Sequence, residues 1–133
     1  MGPLSVNGVA VQAEEFVVAY LTTLFPNVGV EMEASPPLPF YLVNRVTGHD
    51  DMISDYPVVS VHSFAATRTA AADAASAVHS EMKLLTAKTS VVVAGSACGV
   101  DFLTVEDSPR HVDYDDKTVR RYVARYRFGL RLH

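Results

Sequence analysis

The chain has 133 residues, of which 49% are hydrophobic and 20% charged, and this composition is typical of one domain with its own apolar core. Its single cysteine, Cys98, excludes an internal disulfide, and no apolar run approaches the roughly 18 residues of a membrane-spanning helix. The net charge of −4 hides an asymmetry: residues 1–116 carry five basic and fifteen acidic side chains, whereas residues 117–133 carry six basic side chains and no acid. Two oppositely charged segments on one small domain indicate that these segments contact each other, within one chain or between copies.

The first part of the chain predicts an arm and a helix. Residues 1–11 show no clear period and are interpreted as a loose N-terminal arm, followed by a single domain over 12–133. A helix is predicted at about 13–24, ending at Pro26 and Asn27. Its apolar side chains fall on one stripe: Phe16, Val17, Tyr20, Leu21 and Leu24. Residues 27–33 alternate weakly, which suggests a short strand.

Two strands and a second helix come next. The prolines of SPPLP at 35–39 predict an extended connector. Strands are predicted at 40–46 and 57–64, with a polar segment between them. The alanine-rich stretch 66–85 predicts a helix capped by Thr67 or Thr69. Its inward stripe is expected to be Ala71, Ala74, Ala75, Val78, Met82 and Leu85.

The last third of the chain predicts two more strands. VVVAGSACG at 91–99 fits either a short buried strand or a helix tail with a loop, 99–107 predicts a strand, and 108–117 is rich in turn residues. The segment 118–132 also has a helical stripe, but a strand is favoured because every even position from 122 to 132 is apolar and Gly129 disfavours a helix. Four odd positions hold Arg121, Arg125, Arg127 and Arg131. The order of elements predicts an α+β fold, a mostly antiparallel sheet with two helices packed on one face.

No catalytic or metal-binding motif stands out. GSACG at 95–99 has Ala97 where a nucleophile elbow needs serine, and Cys98 has no marked pairing with a histidine. The five histidines show no short metal-ligand spacing. The acidic segments around Asp50 and Asp113 lack the pattern of a calcium loop and are interpreted as solvated. We therefore expect no catalytic residue, no cofactor and no bound metal.

The arginine row of the last strand has three readings. Arginine makes bidentate pairs with carboxylates, so the row suits an acidic surface on another protein. The row would also suit a phosphate backbone. However, nucleic-acid-binding surfaces usually add exposed aromatic side chains, and in this strand the aromatic residues are at the even positions that are predicted to face the core. The third reading is a solvated face without a partner.

Two long stretches resemble a known family. They are SPPLPFYLVNRVTGHDDMISDYPVVSVHSFAATRTAAADAA and SPRHVDYDDKTVRRYVARYRFGLRL. The first stretch begins with a proline-rich connector that leads to RVTG. A D-x-x-S-D-x-P turn then enters a strand that ends in FAATR. In the second stretch, P-R-x-x-x-Y-D-D precedes R-R-Y-V-A-x-Y. In this order, over roughly residues 12–132, the chain resembles the tail terminator proteins of long-tailed bacteriophages (siphoviruses), especially those of actinobacterial hosts.

The resemblance implies a structural virion protein and not an enzyme. Such proteins assemble in the host bacterial cytoplasm as homo-oligomeric rings, commonly hexamers, at the head-proximal end of the tail tube in the neck of the virion. The ring ends tube polymerisation, contacts the tail tube protein and the head connector or head-closure protein, and passes genomic DNA through its lumen. No membrane partner is implied.

A ring joins neighbouring subunits through two different complementary patches. The hypothesis for this chain is that Arg121, Arg125, Arg127 and Arg131 face carboxylates on an adjacent subunit or ring. The candidate acidic partners are Asp50, Asp51, Asp55, Asp113, Asp115 and Asp116. A competing placement has the same arginines lining the lumen. Two alternative functions stay open: another neck component such as a head-closure protein, or an unrelated small-molecule-binding domain with a pocket near Cys98 and His111.

Overall fold

The computed structural model describes residues 13–50, 55–85, 91–93 and 96–132, and its elements form an α+β fold. In chain order they are α1 (Ala13–Thr22), β1 (Val28–Gly29), β2 (Phe40–Asp50), β3 (Asp55–Ala65), α2 (Arg68–Met82), β4 (Val91–Val93), β5 (Ser96–His111) and β6 (Arg120–Leu132). The strands make one sheet in the order β1-β2-β3-β6-β5-β4, in which only the pairing of β1 with β2 is parallel. The predicted mostly antiparallel sheet with two helices is confirmed. The predicted arm at 1–11 lies outside the described residues.

Both helices bury the stripes that the sequence predicts. α1 ends at Thr22, two residues earlier than predicted, so Leu24 lies beyond the helix and is 45% exposed. Asn27 then turns the chain with a left-handed backbone, at φ 57°. The Tyr20 hydroxyl donates a 2.9 Å hydrogen bond to the carbonyl of Glu81 and so ties α1 to α2. Burial, together with the Glu81 carboxylate, raises the pKa of Tyr20 to about 12.

The second helix begins at the predicted cap. The Thr67 hydroxyl accepts a 3.1 Å hydrogen bond from the Ala70 amide, which satisfies one of the free donors of the first turn. Ala71, Ala75, Val78 and Met82 are buried, and small residues on this stripe let the helix lie close to the sheet. The helix ends at Met82, and Leu85 is buried just after it.

Three strands extend beyond their predicted bounds. β2 and β3 stay paired as far as Asp50 opposite Asp55, so much of the segment predicted as a polar connection belongs to a hairpin. β5 continues to His111, and the prediction of a turn-rich loop from Ser108 is therefore wrong for its first four residues. Pairing with β6 outweighs the turn propensity of this stretch, and register shifts along β5 accommodate Pro109.

The sheet is covered on both faces, but by different amounts. The main core lies between the helices and one face, where Phe16, Val17, Val59, Tyr126 and Phe128 are all fully buried. A second, smaller cluster covers one end of the other face. It consists of Phe40, Phe64 and Val119, with Met32, Leu42 and Tyr114 packed against them. The central strand β3 is therefore buried on both sides along most of its length.

β6 has the two faces that its alternation predicts. Ala124, Tyr126 and Phe128 are buried in the main core, whereas Arg121, Arg125 and Arg127 point to the other face. Gly129 allows a close approach on that second face, because a Cβ there would lie 2.7 Å from the ring of Phe102 on β5. Of the helices that the structure describes, none is long and apolar enough to cross a membrane.

Candidate functional site

The candidate site is the sheet face that points away from the helices, here called the arginine face and defined by Arg121, Arg125 and Arg127. Strand pairing places Phe64 beside Arg121, Ser60 beside Arg125 and Val58 beside Arg127. Because the β3 residues are buried, the arginines form the outer layer of this face. The side chain of the fourth candidate, Arg131, lies outside the described residues, although its backbone pairs with Gly99.

Arg125 and Arg127 meet carboxylates of their own chain. Arg127 Nε lies 3.2 Å from Glu106 Oε2, and Arg125 Nε lies 3.7 Å from Asp107 Oδ2. The side chains of the Arg125 pair are 44% and 45% exposed, and those of the Arg127 pair are 35% and 36% exposed. Such exposed pairs contribute about 1 kcal/mol or less each. The four charges therefore remain available for contact with another molecule.

Glu106 and Asp107 were not among the predicted partners. In a regular strand two consecutive side chains point to opposite faces, so one of them would face the core. The pairing of β5 with β6 shifts register between Val105 and Asp107, and this irregularity lets both carboxylates reach the arginine face. Two adjacent acids within a strand pattern are the sequence signal that could have indicated the shift.

Arg121 holds the loop that follows β5. Its Nη2 donates to the carbonyl of Asp113 at 2.7 Å and its Nε donates to the carbonyl of Val112 at 3.4 Å. The guanidinium carbon also lies 5.1 Å from the centre of the Tyr114 ring, a cation–π distance. Tyr114 in turn packs edge-on against Phe64. Arg121 therefore orders one end of the arginine face and is less available to a partner than Arg125 and Arg127.

A half-buried histidine lies under the arginines. His62 Nε2 shares a 3.0 Å hydrogen bond with Ser60 Oγ, while its Nδ1 is buried without a hydrogen-bond partner among the described residues. Burial, and then the charges of Arg121 and Arg125, lower the pKa of His62 to about 4. The ring is therefore neutral at pH 7, which keeps a further positive charge off this face.

This environment predicts an acid-dependent loss of stability. The folded-state pKa lies below the ordinary value of 6.5, so the free energy of unfolding falls as pH drops from about 6.5 towards 4. After allowance for solvent screening, we expect His62 to account for a loss of about 2 kcal/mol. Urea unfolding of wild type and His62→Asn at pH 7 and pH 4.5 measures the difference. The same pH dependence in both proteins would contradict this assignment.

The predicted acidic partners fall at the two ends of the sheet. Asp50 and Asp55 pair across the β2–β3 hairpin, and the backbone of Asp55 also pairs with Leu130 of β6. Asp51 and the side chains of Asp50 and Asp55 lie outside the described residues. The second group, Asp113, Asp115 and Asp116, follows β5 at the opposite end.

The second acidic group is partly engaged within the chain. The Asp116 carboxylate accepts hydrogen bonds from the amide and hydroxyl of Thr118, at 2.9 and 2.7 Å, and these bonds lower its pKa. One Asp113 carboxylate oxygen lies 3.9 Å from His111 Nδ1. These contacts leave Asp113 and Asp115 exposed. The structure of one chain does not bring any predicted acidic side chain onto Arg125 or Arg127 within the described residues.

Other candidate chemistry is sparse. His111 packs edge-on against Tyr122, and the side chain of Cys98 lies outside the described residues. Among the side chains that the structure describes, no three from His, Cys, Asp or Glu converge as a metal site would require.

Comparison with known proteins shows a likeness in fold. No protein-family model matches the chain, and no curated protein matches its sequence. Among solved structures, the fold is similar to that of a chain in the virion of a native gene transfer agent (GTA) particle, with a TM-score of 0.54 and 15% sequence identity. The likeness covers 84% of this chain and 83% of the other. At this identity it shows a shared fold that spans most of both chains.

Proposed function

We propose that this chain is a structural virion protein, and that it acts as a tail terminator of a long-tailed bacteriophage. The observation that carries the proposal is the fold shared with a virion chain over 84% of this chain and 83% of the other. The motif order from SPPLP to RRYVARY, which resembles that of tail terminators, supports the finer assignment. In this role the chain is not an enzyme and needs no cofactor or metal.

In the proposed assembly, copies form a ring, commonly a hexamer, on the head-proximal end of the tail tube. The ring contacts the tail tube protein on one side and the head connector or head-closure protein on the other, and genomic DNA passes through its lumen. The location is the neck of the virion, after assembly in the host cytoplasm. Heterologous contacts of this kind need two different complementary surfaces on each subunit.

The arginine face is the proposed contact with an adjacent subunit or ring. The side chains of Arg125 and Arg127 stay 44% and 35% exposed, beside Asp107 and Glu106. An alternating set of charges is suited to a second surface that also alternates. This face is less suited to the lumen. The arginines would attract the phosphates of DNA there, but the carboxylates of Asp107 and Glu106 beside them would repel the same phosphates.

Measurements on purified protein test the function. We expect light scattering to give a mass of several subunits and negative-stain images to show rings. Addition of the rings to polymerising tail tube protein should then shorten the tubes, which distinguishes a terminator from another neck component. A chain that stays monomeric at every concentration, with no effect on tube length, would contradict the proposal. A melting temperature that rises with a small ligand would favour the binding-domain alternative.

A further inference from the structure

Two arginines of the arginine face meet no carboxylate of their own chain within the described residues. Strand pairing places Arg110 of β5 directly beside Val123, the β6 residue between Arg121 and Arg125, so the Arg110 side chain lies on the same face. Arg110 is exposed, and in the part of the chain that the structure describes its guanidinium has no hydrogen bond and no ion pair. The hydrogen-bond acceptors of Arg121 are two backbone carbonyls, which carry no net charge.

These two guanidinium groups differ from those of Arg125 and Arg127, whose Nε atoms have carboxylate oxygens at 3.7 and 3.2 Å. Arg110 and Arg121 are diagonal neighbours on adjacent strands, about 7–8 Å apart, which is within reach of long side chains. They therefore present two positive charges without a carboxylate at a spacing that suits two acidic side chains of another molecule, with which arginine makes strong hydrogen-bonded pairs.

The complementary feature follows β1. Glu31 and Glu33 are both exposed, and among the described residues neither carboxylate contacts a cation. Met32 between them packs against the smaller apolar cluster around Phe64, which holds this segment on the subunit. Two residues of chain span at most about 7 Å, so the spacing of the two acids is close to that of the two arginines.

Within the described residues, one other pair of exposed acids has this spacing, Asp113 and Asp115. Arg121 holds their loop through the carbonyl of Asp113, so these acids belong to the same surface as the arginines. A head-to-tail contact needs two different surfaces on each subunit. The acidic pair that a neighbouring copy can bring from a different surface is therefore Glu31 and Glu33.

The positive and the negative pair lie far apart within one subunit. Glu31 follows β1 by two residues, whereas Arg110 is on β5. β1 and β5 are separated by four strand spacings in the sheet, about 19 Å. A subunit with the positive pair at one side and the negative pair at the other can meet an identical subunit head to tail, and such contacts can close into a ring.

We propose that Glu31 and Glu33 of one copy of this chain bind Arg110 and Arg121 of the next copy. Arg110 is the main contact, because its side chain is exposed and without a partner in the described part of its own chain, while Arg121 adds charge from a half-buried position. The inference rests on the proposed assembly of copies and gives the arginine face a defined partner within it.

Charge reversal followed by restoration tests this contact. Arg110→Glu, Glu31→Arg and Glu33→Arg are each expected to raise the dissociation constant of the assembly roughly tenfold or more in analytical ultracentrifugation, because like charges replace an attractive pair. Combination of Arg110→Glu with one of the two reversed acids should return the constant to within about threefold of wild type. The matched control is Arg120→Glu, an exposed position on the opposite side of β6, which should leave the constant unchanged.

Urea unfolding of each variant should match wild type, because these side chains meet no opposite charge in the described part of their own chain. Where a reversal disturbs the fold, Arg110→Gln, Glu31→Gln and Glu33→Gln remove the charge alone and should weaken assembly to a smaller extent. Wild-type rings whose dissociation constant no single variant changes, or losses that neither combination restores, would overturn the inference and leave the proposed function standing. A wild-type chain that is monomeric at every concentration would overturn both.

Discussion

Exchange of the charges in the two ion pairs of the arginine face is expected to abolish ring assembly while the subunit stays folded. The variant carries Glu106→Arg, Asp107→Arg, Arg125→Glu and Arg127→Glu. Each ion pair keeps its attraction within the chain, because its positive and negative members only change places. A neighbouring molecule, however, meets a negative charge where wild type has a positive one, and the reverse. Light scattering should give the mass of one subunit for the variant, whereas the proposed function predicts the mass of a ring for wild type.

The design separates loss of contact from loss of fold. Arg125→Glu with Arg127→Glu alone would gather four carboxylates on neighbouring strands and destabilise the sheet by itself. With all four exchanged, exposed pairs worth about 1 kcal/mol or less leave the free energy of unfolding nearly unchanged. Added salt should also weaken wild-type assembly, because exposed charge pairs are screened. Rings that persist in the exchanged variant would show that this face takes no part in assembly.

Phe128→Ala is expected to cost about 3–5 kcal/mol of folding stability. Phe128 is fully buried on the core-facing side of β6, and its ring centre lies 5.9 Å from that of Phe16 on α1. Truncation to alanine opens a cavity between helix and sheet that neither element can fill by a small shift. Chemical unfolding of the variant and of wild type gives the difference.

Phe102→Ala is the matched control for this substitution. Phe102 is 39% exposed on the other side of the sheet, so the same loss of an aromatic ring should remove less buried surface and cost less stability. Since domains of this size are stable by only about 5–15 kcal/mol, Phe128→Ala alone should unfold a large part of the protein under mild denaturant. Equal losses for the two variants would contradict the position of Phe128 in the core.

The helices and the two-sided last strand could be predicted because their signals are local. The stripe Phe16, Val17, Tyr20 and Leu21 has the helical period, and Thr67 has the right residue type at the right place for a cap. In β6 the alternation of apolar residues with arginines assigns each side chain to a face without knowledge of its neighbours. Strand bounds were less predictable because they depend on pairing, as the extension of β5 to His111 shows.

The partners of the arginines could not be predicted for a related reason. An irregularity in β5 depends on its register with β6, and this register is set by packing of Leu103 and Val105 into the core rather than by the sequence around Glu106. From the sequence alone, the acidic segments around Asp50 and Asp113 are therefore the expected source of the carboxylates. Whether those loops meet the arginines of another copy stays a prediction.

The place of β6 in the sheet has a consequence for biosynthesis. It lies between β3 and β5, although it follows both in chain order, so a nascent polypeptide leaves the inner edges of those two strands unpaired until residue 130 has left the ribosome. Folding then depends on contacts between distant parts of the chain and is expected to be slow. A truncated translation product would expose two long unpaired strand edges, which would make it a substrate for chaperones or proteases.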